Sequence, residues 1–147
     1  MAGPFRTTRL VEFSDTDMAG IVHFSAFFRY MESAEHAFLR SLGLSVFMEW
    51  DGEPIGFPRV AAACEFRKPV RFEEELTITV AVEKLGRSSV TYAFGFTKAG
   101  EEVARGRITA VCCTPPAGSG LTAREIPAAV RAKLEAYRQQ EAPDAGH

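Results

Sequence analysis

Cysteine is scarce in this chain: Cys64, Cys112 and Cys113 are the only three among 147 residues. An odd count without metal-ligand spacing argues against a disulfide framework and against a zinc site. All three lie in apolar, strand-like stretches, and neither a neighbouring His nor a turn presents any of them. They read as small buried hydrophobes rather than as nucleophiles. A basic excess is missing too. Lys and Arg number 17 against 19 Asp and Glu, for a net charge of −2, so nothing favours a nucleic-acid partner. No apolar run approaches the ~18 residues of a membrane span. The stretch Met1 to Arg9 lacks the apolar segment of a secretory signal. The expectation is a protein with no membrane span in a reduced, cytoplasmic location. Tryptophan occurs once against twelve phenylalanines, an aromatic load that suits a packed core. Repeats and linkers are also lacking, which leaves a single domain over residues 1–140 and a disordered tail over 141–147.

What is present is an ordered series of periodic segments. Phe5 to Phe13 reads as a strand and Ser14 to Val22 as a loop. His23 to Leu42 reads as a helix, with Phe24, Phe27, Phe28, Met31, Ala34, Phe38, Leu39 and Leu42 at three- and four-residue spacing and Gly43 at its stop. Leu44 to Pro58, punctuated by Gly52, Pro54, Gly56 and Pro58, reads as a loop with one short helical turn around Val46 to Trp50. Val60 to Val70 reads as a strand ending near Pro69. Leu76 to Leu85 and Ser89 to Lys98 alternate clearly, Ala99-Gly100 reads as a hairpin turn, and Glu102 to Thr114 is the last long strand. Pro115 to Gly120 reads as loop, and Ile126 to Gln140 as an amphipathic C-terminal helix. Strand, long helix, then strands joined by hairpins predicts an α+β fold: one antiparallel sheet of about five strands around one apolar helix. Such a sheet has free edges and another face, which association of copies commonly covers.

The chemistry-bearing segment is Phe13-Ser14-Asp15-Thr16-Asp17-Met18-Ala19-Gly20-Ile21-Val22-His23-Phe24. It brings two carboxylates into a Gly-containing loop just before a helix start. The first N–H groups of a helix lack intrahelical partners and carry partial positive charge. A carboxylate beside them suits acyl transfer, with the carboxylate as base or nucleophile and the N–H groups holding an oxyanion. The residues alone leave an alternative open for Asp17, an Asx turn or cap that orders the loop. Asp15 reads as a turn-forming residue.

The stretch from Val11 to Phe24 closely resembles the loop-and-helix signature of hotdog-fold acyl-CoA thioesterases, the 4-hydroxybenzoyl-CoA thioesterase group and its Tol-Pal-associated relatives. The resemblance implies a hotdog fold and hydrolysis of an aryl- or acyl-CoA thioester to the acid and free CoA. It places the catalytic carboxylate on Asp17 and the oxyanion-holding backbone amide on Phe24, with Val22 or His23 as further donors. Gly20 and Val22 fall among the substrate-binding positions. His23 stands where relatives often carry an aromatic, so it orients water, lines the acyl pocket or merely starts the helix. Phosphates of CoA want basic side chains, and the resemblance points to the turn holding Lys84, Arg87 and Ser88; Arg67, Lys68 and Arg71 form a second basic cluster. Phe27, Phe47, Trp50 and Phe57 are candidate walls of an acyl pocket shared between subunits.

Some thioesterases of the broader fold use a helix Glu. Glu35 falls inside the apolar arc of the long helix and Glu32 at its border, and a salt bridge or a subunit-interface contact is the expected role for such a carboxylate. His36 lies on the polar face and reads as surface. No metal and no cofactor are expected, coenzyme A being part of the substrate. The expected partners are an acyl-CoA and further copies of the chain, as a homodimer or homotetramer. The alternatives are an acyl carrier protein substrate, for which a charge of −2 supplies no general basic surface, and a non-catalytic acyl-CoA or protein-binding module, against which Asp17 speaks. A hydratase would pair His with Asp or Glu in another arrangement, and no such motif occurs.

Overall fold

The computed structural model describes residues 3–114 and 120–139. The tail expected at 141–147 and most of the loop expected at Pro115 to Gly120 fall outside these residues. Five strands, β1 (Phe5–Leu10), β4 (Arg59–Phe66), β5 (Glu75–Leu85), β6 (Ser89–Lys98) and β7 (Glu101–Val111), form one antiparallel sheet in the order β1-β5-β6-β7-β4. It packs on the long helix α1 (Ala26–Ser41). This is the α+β layout that the alternation and the helical spacing predict.

The register explains the core. Cross-strand rows Ile78–Phe96–Ala104, Val80–Phe94–Gly106 and Val82–Tyr92–Ile108 point one way, and all but Gly106 are buried apolar residues. α1 meets this face with Phe27, Met31, Ala34 and Phe38. At Gly106 the helix comes so close that an added Cβ would lie 2.5 Å from the Met31 sulfur and 2.8 Å from the Ala63 carbonyl oxygen. Only glycine fits that position without moving backbone.

Several boundaries differ from expectation. β1 ends at Leu10, and Phe13–Asp15 forms a single 3-10 turn. The helix starts regular winding at Ala26, after a turn tightened by i→i+3 bonds from Ala26 to His23 and from Phe27 to Phe24. β4 stops at Phe66, and α2 spans only Ala128–Glu135. The stretch Leu44 to Pro58 contains no helical turn. It is a hairpin of β2 (Phe47–Trp50) and β3 (Glu53–Gly56), closed by Asp51 and Gly52 at φ of 51° and 80°. Two positive-φ residues between paired positions match the twist of a tight hairpin, which is why Asp-Gly serves there. The last long strand breaks at Cys112 into β7 and the short β8 (Cys113–Thr114), which joins β2, β3 and β9 (Thr122–Ala123) in a second sheet ordered β2-β3-β8-β9. All three cysteines are unpaired, with Cys112 and Cys113 buried. No helix among the described residues is long and apolar enough to cross a membrane.

Candidate active site

The loop between β1 and α1 folds back on itself. Thr16 bridges Val22, the Asp17 N–H donates to the Ile21 carbonyl at 2.9 Å, and the Gly20 N–H donates to the Asp17 carbonyl at 2.9 Å. Gly20 closes this turn at a φ of 79°, a conformation that costs glycine little and other residues strain. Asp17 sits at the tip, exposed. Its Oδ1 accepts the Ala19 N–H at 2.8 Å, the Asx turn weighed as the alternative role. That bond occupies one carboxylate oxygen only; Oδ2 has no hydrogen-bond partner among the described residues. The turn therefore orients the carboxylate and leaves an oxygen free.

The helix start is the second half of the site. The Val22 N–H donates to the Val70 carbonyl at 2.7 Å and the His23 N–H to the Asp15 carbonyl at 2.8 Å. Both amides are spent, which removes them as the oxyanion donors the resemblance allowed. The Ser25 N–H donates to His23 Nδ1 at 3.2 Å, and the Ala26 N–H to the His23 carbonyl at 2.9 Å. The Phe24 N–H has no partner among the described residues. Of the orphan amides that open every helix, this one remains available.

His23 acts as a cap. A backbone N–H is an obligate donor, so Nδ1 is the acceptor; the Ser25 hydroxyl lies 2.8 Å from the same nitrogen. The imidazole also stacks on the Phe24 ring, with centroids 4.6 Å apart.

Asp17, Ile21, Val22, Phe24, Phe27, Phe66, Arg67, Lys68, Pro69 and Val70 line one cleft of about 580 Å³. Phe27 forms its aromatic wall, with ring centroids 5.2 Å from both Phe66 and Phe96. Phe66 was not among the expected pocket residues. It joins because Phe66 pairs with Ala104, in the same row as Phe96, and strand register is not written in the sequence. Phe47, Trp50 and Phe57 do not line this cleft. Phe57 is buried in the core, and Phe47 and Trp50 belong to the β2–β3 hairpin.

Of the two basic clusters, the second reaches the cleft. Arg67 pairs with Glu102 at 3.3 Å and Glu65 at 3.6 Å, and Lys68 pairs with Glu101. Arg71 lies by the loop, bridging Ile21 through its backbone. Lys84, Arg87 and Ser88 lie elsewhere. β1 and the Asp17 loop meet the Glu75 end of β5, while Lys84 lies at its Leu85 end with Arg87 and Ser88 just beyond, roughly 30 Å away along an 11-residue strand. There Arg87 faces Glu125 at 3.6 Å, and Arg131 donates to the Gly86 carbonyl at 2.6 Å. One chain does not bring this turn to Asp17.

Asp15 is buried at 4% exposure, beneath the loop. Its Oδ2 accepts the Tyr30 hydroxyl at 2.8 Å and the Glu12 N–H at 3.0 Å, and Arg29 lies 3.5 Å from Oδ1. Burial pushes the Asp15 carboxyl up, but the hydrogen bonds from Glu12, Tyr30 and Arg29 and the charge of Arg9 outweigh it and hold the group below its ordinary 3.8. A carboxyl lowered on folding stabilises the fold at pH above its unfolded value, and that contribution drains as pH falls through the folded value. Thermal melts of wild type and Asp15→Asn are therefore expected to differ most near neutral pH, wild type being the more stable, and to converge in acid.

Glu35 carries the salt bridge expected of it. It is fully buried, with Oε1 2.5 Å from Arg59 Nη2 and Oε2 unpartnered. Burial raises its pKa against the pull of Arg59. The same Arg59 atom lies 3.1 Å from His36 Nε2. His36 is therefore half-buried and paired, a correction to its expected surface role; burial and the Arg59 charge push its pKa down. Glu32 is exposed. Among the described residues no three His, Cys, Asp or Glu side chains gather closely enough to hold a metal ion.

Residues 11–134 match the family profile of the thioesterase-like superfamily. The chain belongs to this superfamily. Over 110 residues it is 28% identical to a 1,4-dihydroxy-2-naphthoyl-CoA hydrolase of Thermosynechococcus vestitus, covering 74% of this chain and 75% of that one. It is 34% identical to a putative esterase of Aquifex aeolicus over 91 residues, 62% of this chain and 70% of the other. Among solved structures, gentisyl-coenzyme A thioesterase superposes with a TM-score of 0.74 at 31% identity, over 86% of this chain and 99% of that one. A mutant 4-hydroxybenzoyl-CoA thioesterase complexed with 4-hydroxybenzoyl-CoA superposes at 0.77, over 90% and 99% of the two chains; at 20% identity it shows the shared fold. As a member of the thioesterase-like superfamily the chain has the hotdog-type architecture and is a thioester hydrolase.

Proposed function

We propose that this thioesterase-like protein hydrolyses an acyl-CoA, with an aryl or medium acyl group in the Phe27–Phe66 cleft, through Asp17. The observation that carries the reading is that Asp17, whose carboxylate has a free oxygen, and Phe24, whose helix-start amide has no partner among the described residues, line one mainly apolar cleft. Asp17 takes a proton from water as the water oxygen attacks the thioester carbonyl. The Phe24 N–H holds the developing oxyanion. Collapse breaks the C–S bond, and Asp17 returns the proton to the CoA sulfur. In the nucleophilic variant Asp17 itself attacks, the thiolate leaves, and water opens the resulting anhydride. Gly20 and Val22 shape the cleft, and His23 holds the helix start. The Lys84, Arg87 and Ser88 turn reaches CoA phosphates only from another copy in a homodimer or homotetramer.

The test is thiol release from aryl, short, medium and long acyl-CoAs, each beside its acyl-carrier-protein thioester. Turnover of one acyl-CoA class supports the reading and names the class. Turnover of carrier-protein thioesters alone moves the substrate to the carrier. A well-folded protein that cleaves none of them sinks the hydrolase reading and leaves a binding module. In single turnovers in oxygen-18 water, label entering Asp17 distinguishes the nucleophile from the base.

A further inference from the structure

The exposed stretch Asp17 to Gly20 has almost no apolar anchor; Met18 is fully solvent-exposed and the others are open as well. Packing therefore does not set the position of the Asp17 carboxylate. Hydrogen bonds within the turn orient it, and the base of the loop that carries the turn is tied down at one buried residue. The Asp15 carboxylate ties the loop to α1: it accepts the Glu12 N–H from the entry to the loop and the Tyr30 hydroxyl from the second turn of α1, with Arg29 of the same helix beside it. The Asp15 backbone carbonyl accepts the His23 N–H. That bond lies one residue before Phe24 and one residue outside the Thr16–Val22 bridge on each strand of the loop that carries Asp17. Tyr30 is itself immobile. It is fully buried, its ring lies under the Arg9 guanidinium at 5.1 Å, and it packs edge-on to Phe27 at 5.7 Å, the wall of the cleft.

We infer that Asp15 and Tyr30 form a positioning clamp that holds the Asp17 carboxylate and the Phe24 amide at a fixed separation. The clamp touches no reacting atom, since neither residue lines the cleft. It works by joining the two halves of the site through a single buried carboxylate. Acyl transfer needs the base and the oxyanion donor in place together, and a displacement of about 1 Å costs up to about 10²-fold in rate. The inference rests on the thioesterase reading for its kinetic consequence. Its structural content stands apart.

Two variants test it. Tyr30→Phe removes one hydroxyl and keeps the buried ring; Asp15→Asn keeps the shape and removes the charge. For the acyl-CoA that wild type cleaves, each is expected to lower kcat roughly 10- to 100-fold with KM within about twofold, because the groups displaced act on the reacting carbonyl and not on CoA. Combined, the two substitutions are expected to cost no more than the larger single one. In the Asp17→Asn background Tyr30→Phe is expected to cost less than it does alone. Amide hydrogen exchange supplies a readout independent of turnover: the His23 N–H exchanges at least about tenfold faster in either variant, below its melting range. Wild type without acyl-CoA turnover but with the His23 exchange change overturns the thioesterase reading and keeps the clamp. Unchanged kcat together with unchanged His23 exchange in folded Tyr30→Phe overturns the clamp. Loss of kcat that tracks loss of folded protein, with unaltered exchange in the folded fraction, overturns it as well.

Discussion

Replacing Asp17 with asparagine is expected to lower kcat toward the preferred acyl-CoA by about 10²–10⁴-fold, the range that a positioned base contributes. The substitution isolates the chemistry. Asparagine offers the same Oδ1 acceptor to the Ala19 N–H, so the turn bond at 2.8 Å survives. The backbone bonds from Asp17 to Ile21 and from Gly20 to Asp17 involve no side chain. The residue is exposed, so stability should change by no more than about 0.5 kcal/mol. What disappears is the second oxygen as a proton acceptor or nucleophile. KM stays near wild type, because CoA contacts lie elsewhere. Thiol release and a thermal melt of the two proteins check both halves. Unchanged kcat would exclude Asp17, and the helix carboxylates would be poor heirs. Glu35 is sealed behind Arg59 at zero exposure, and Glu32 points to solvent outside the cleft.

Why was the loop that carries Asp17 legible in the sequence when parts of its surroundings were not? Local chemistry writes itself in consecutive residues. The turn from Asp17 to Gly20 and the helix start at Phe24 are short-range features, and a fourteen-residue resemblance covers both. β5 and β6 were legible because one face is buried, so their side chains alternate. The β2–β3 hairpin carried the strongest short turn signal there is, Asp51-Gly52, yet Pro54 and Gly56 in the return strand read as loop punctuation. Pro54 is tolerated in a two-strand arm whose residues at that point are exposed. The amides of Val22 and His23 were illegible as spent donors because their acceptors, Val70 and Asp15, come from tertiary placement. Phe66 entered the cleft through register, and the Lys84–Ser88 turn left it through strand length. Each of these depends on how far a strand runs and what it pairs with, quantities that periodicity does not contain.

Phe38→Ala is expected to cost about 3–5 kcal/mol of stability, the range for truncating a buried phenylalanine. Phe38 sits on α1 with no exposed surface, and three rings meet it: Phe5 of β1 at 5.6 Å, Tyr92 of β6 at 6.0 Å and Tyr137 after α2 at 5.0 Å. Deleting its ring empties the point where the helix, the sheet edge and the C-terminal segment converge. Collapse cannot refill that space cheaply. Tyr92 is locked in the row with Val82 and Ile108, and the Tyr137 carbonyl accepts the Val82 N–H at 3.0 Å. The cavity term therefore adds to the lost burial. For a chain of this length the melting temperature should fall by roughly 6–20 °C. Urea unfolding followed by circular dichroism measures the difference directly. At temperatures where the variant remains folded, kcat should stay near wild type, because Phe38 lies on the helix three turns beyond Phe27 and touches neither Asp17 nor the Phe24 amide. A large loss of stability with retained kcat, set against the opposite pattern for Asp17→Asn, separates what holds the helix in its sheet from what the helix start does.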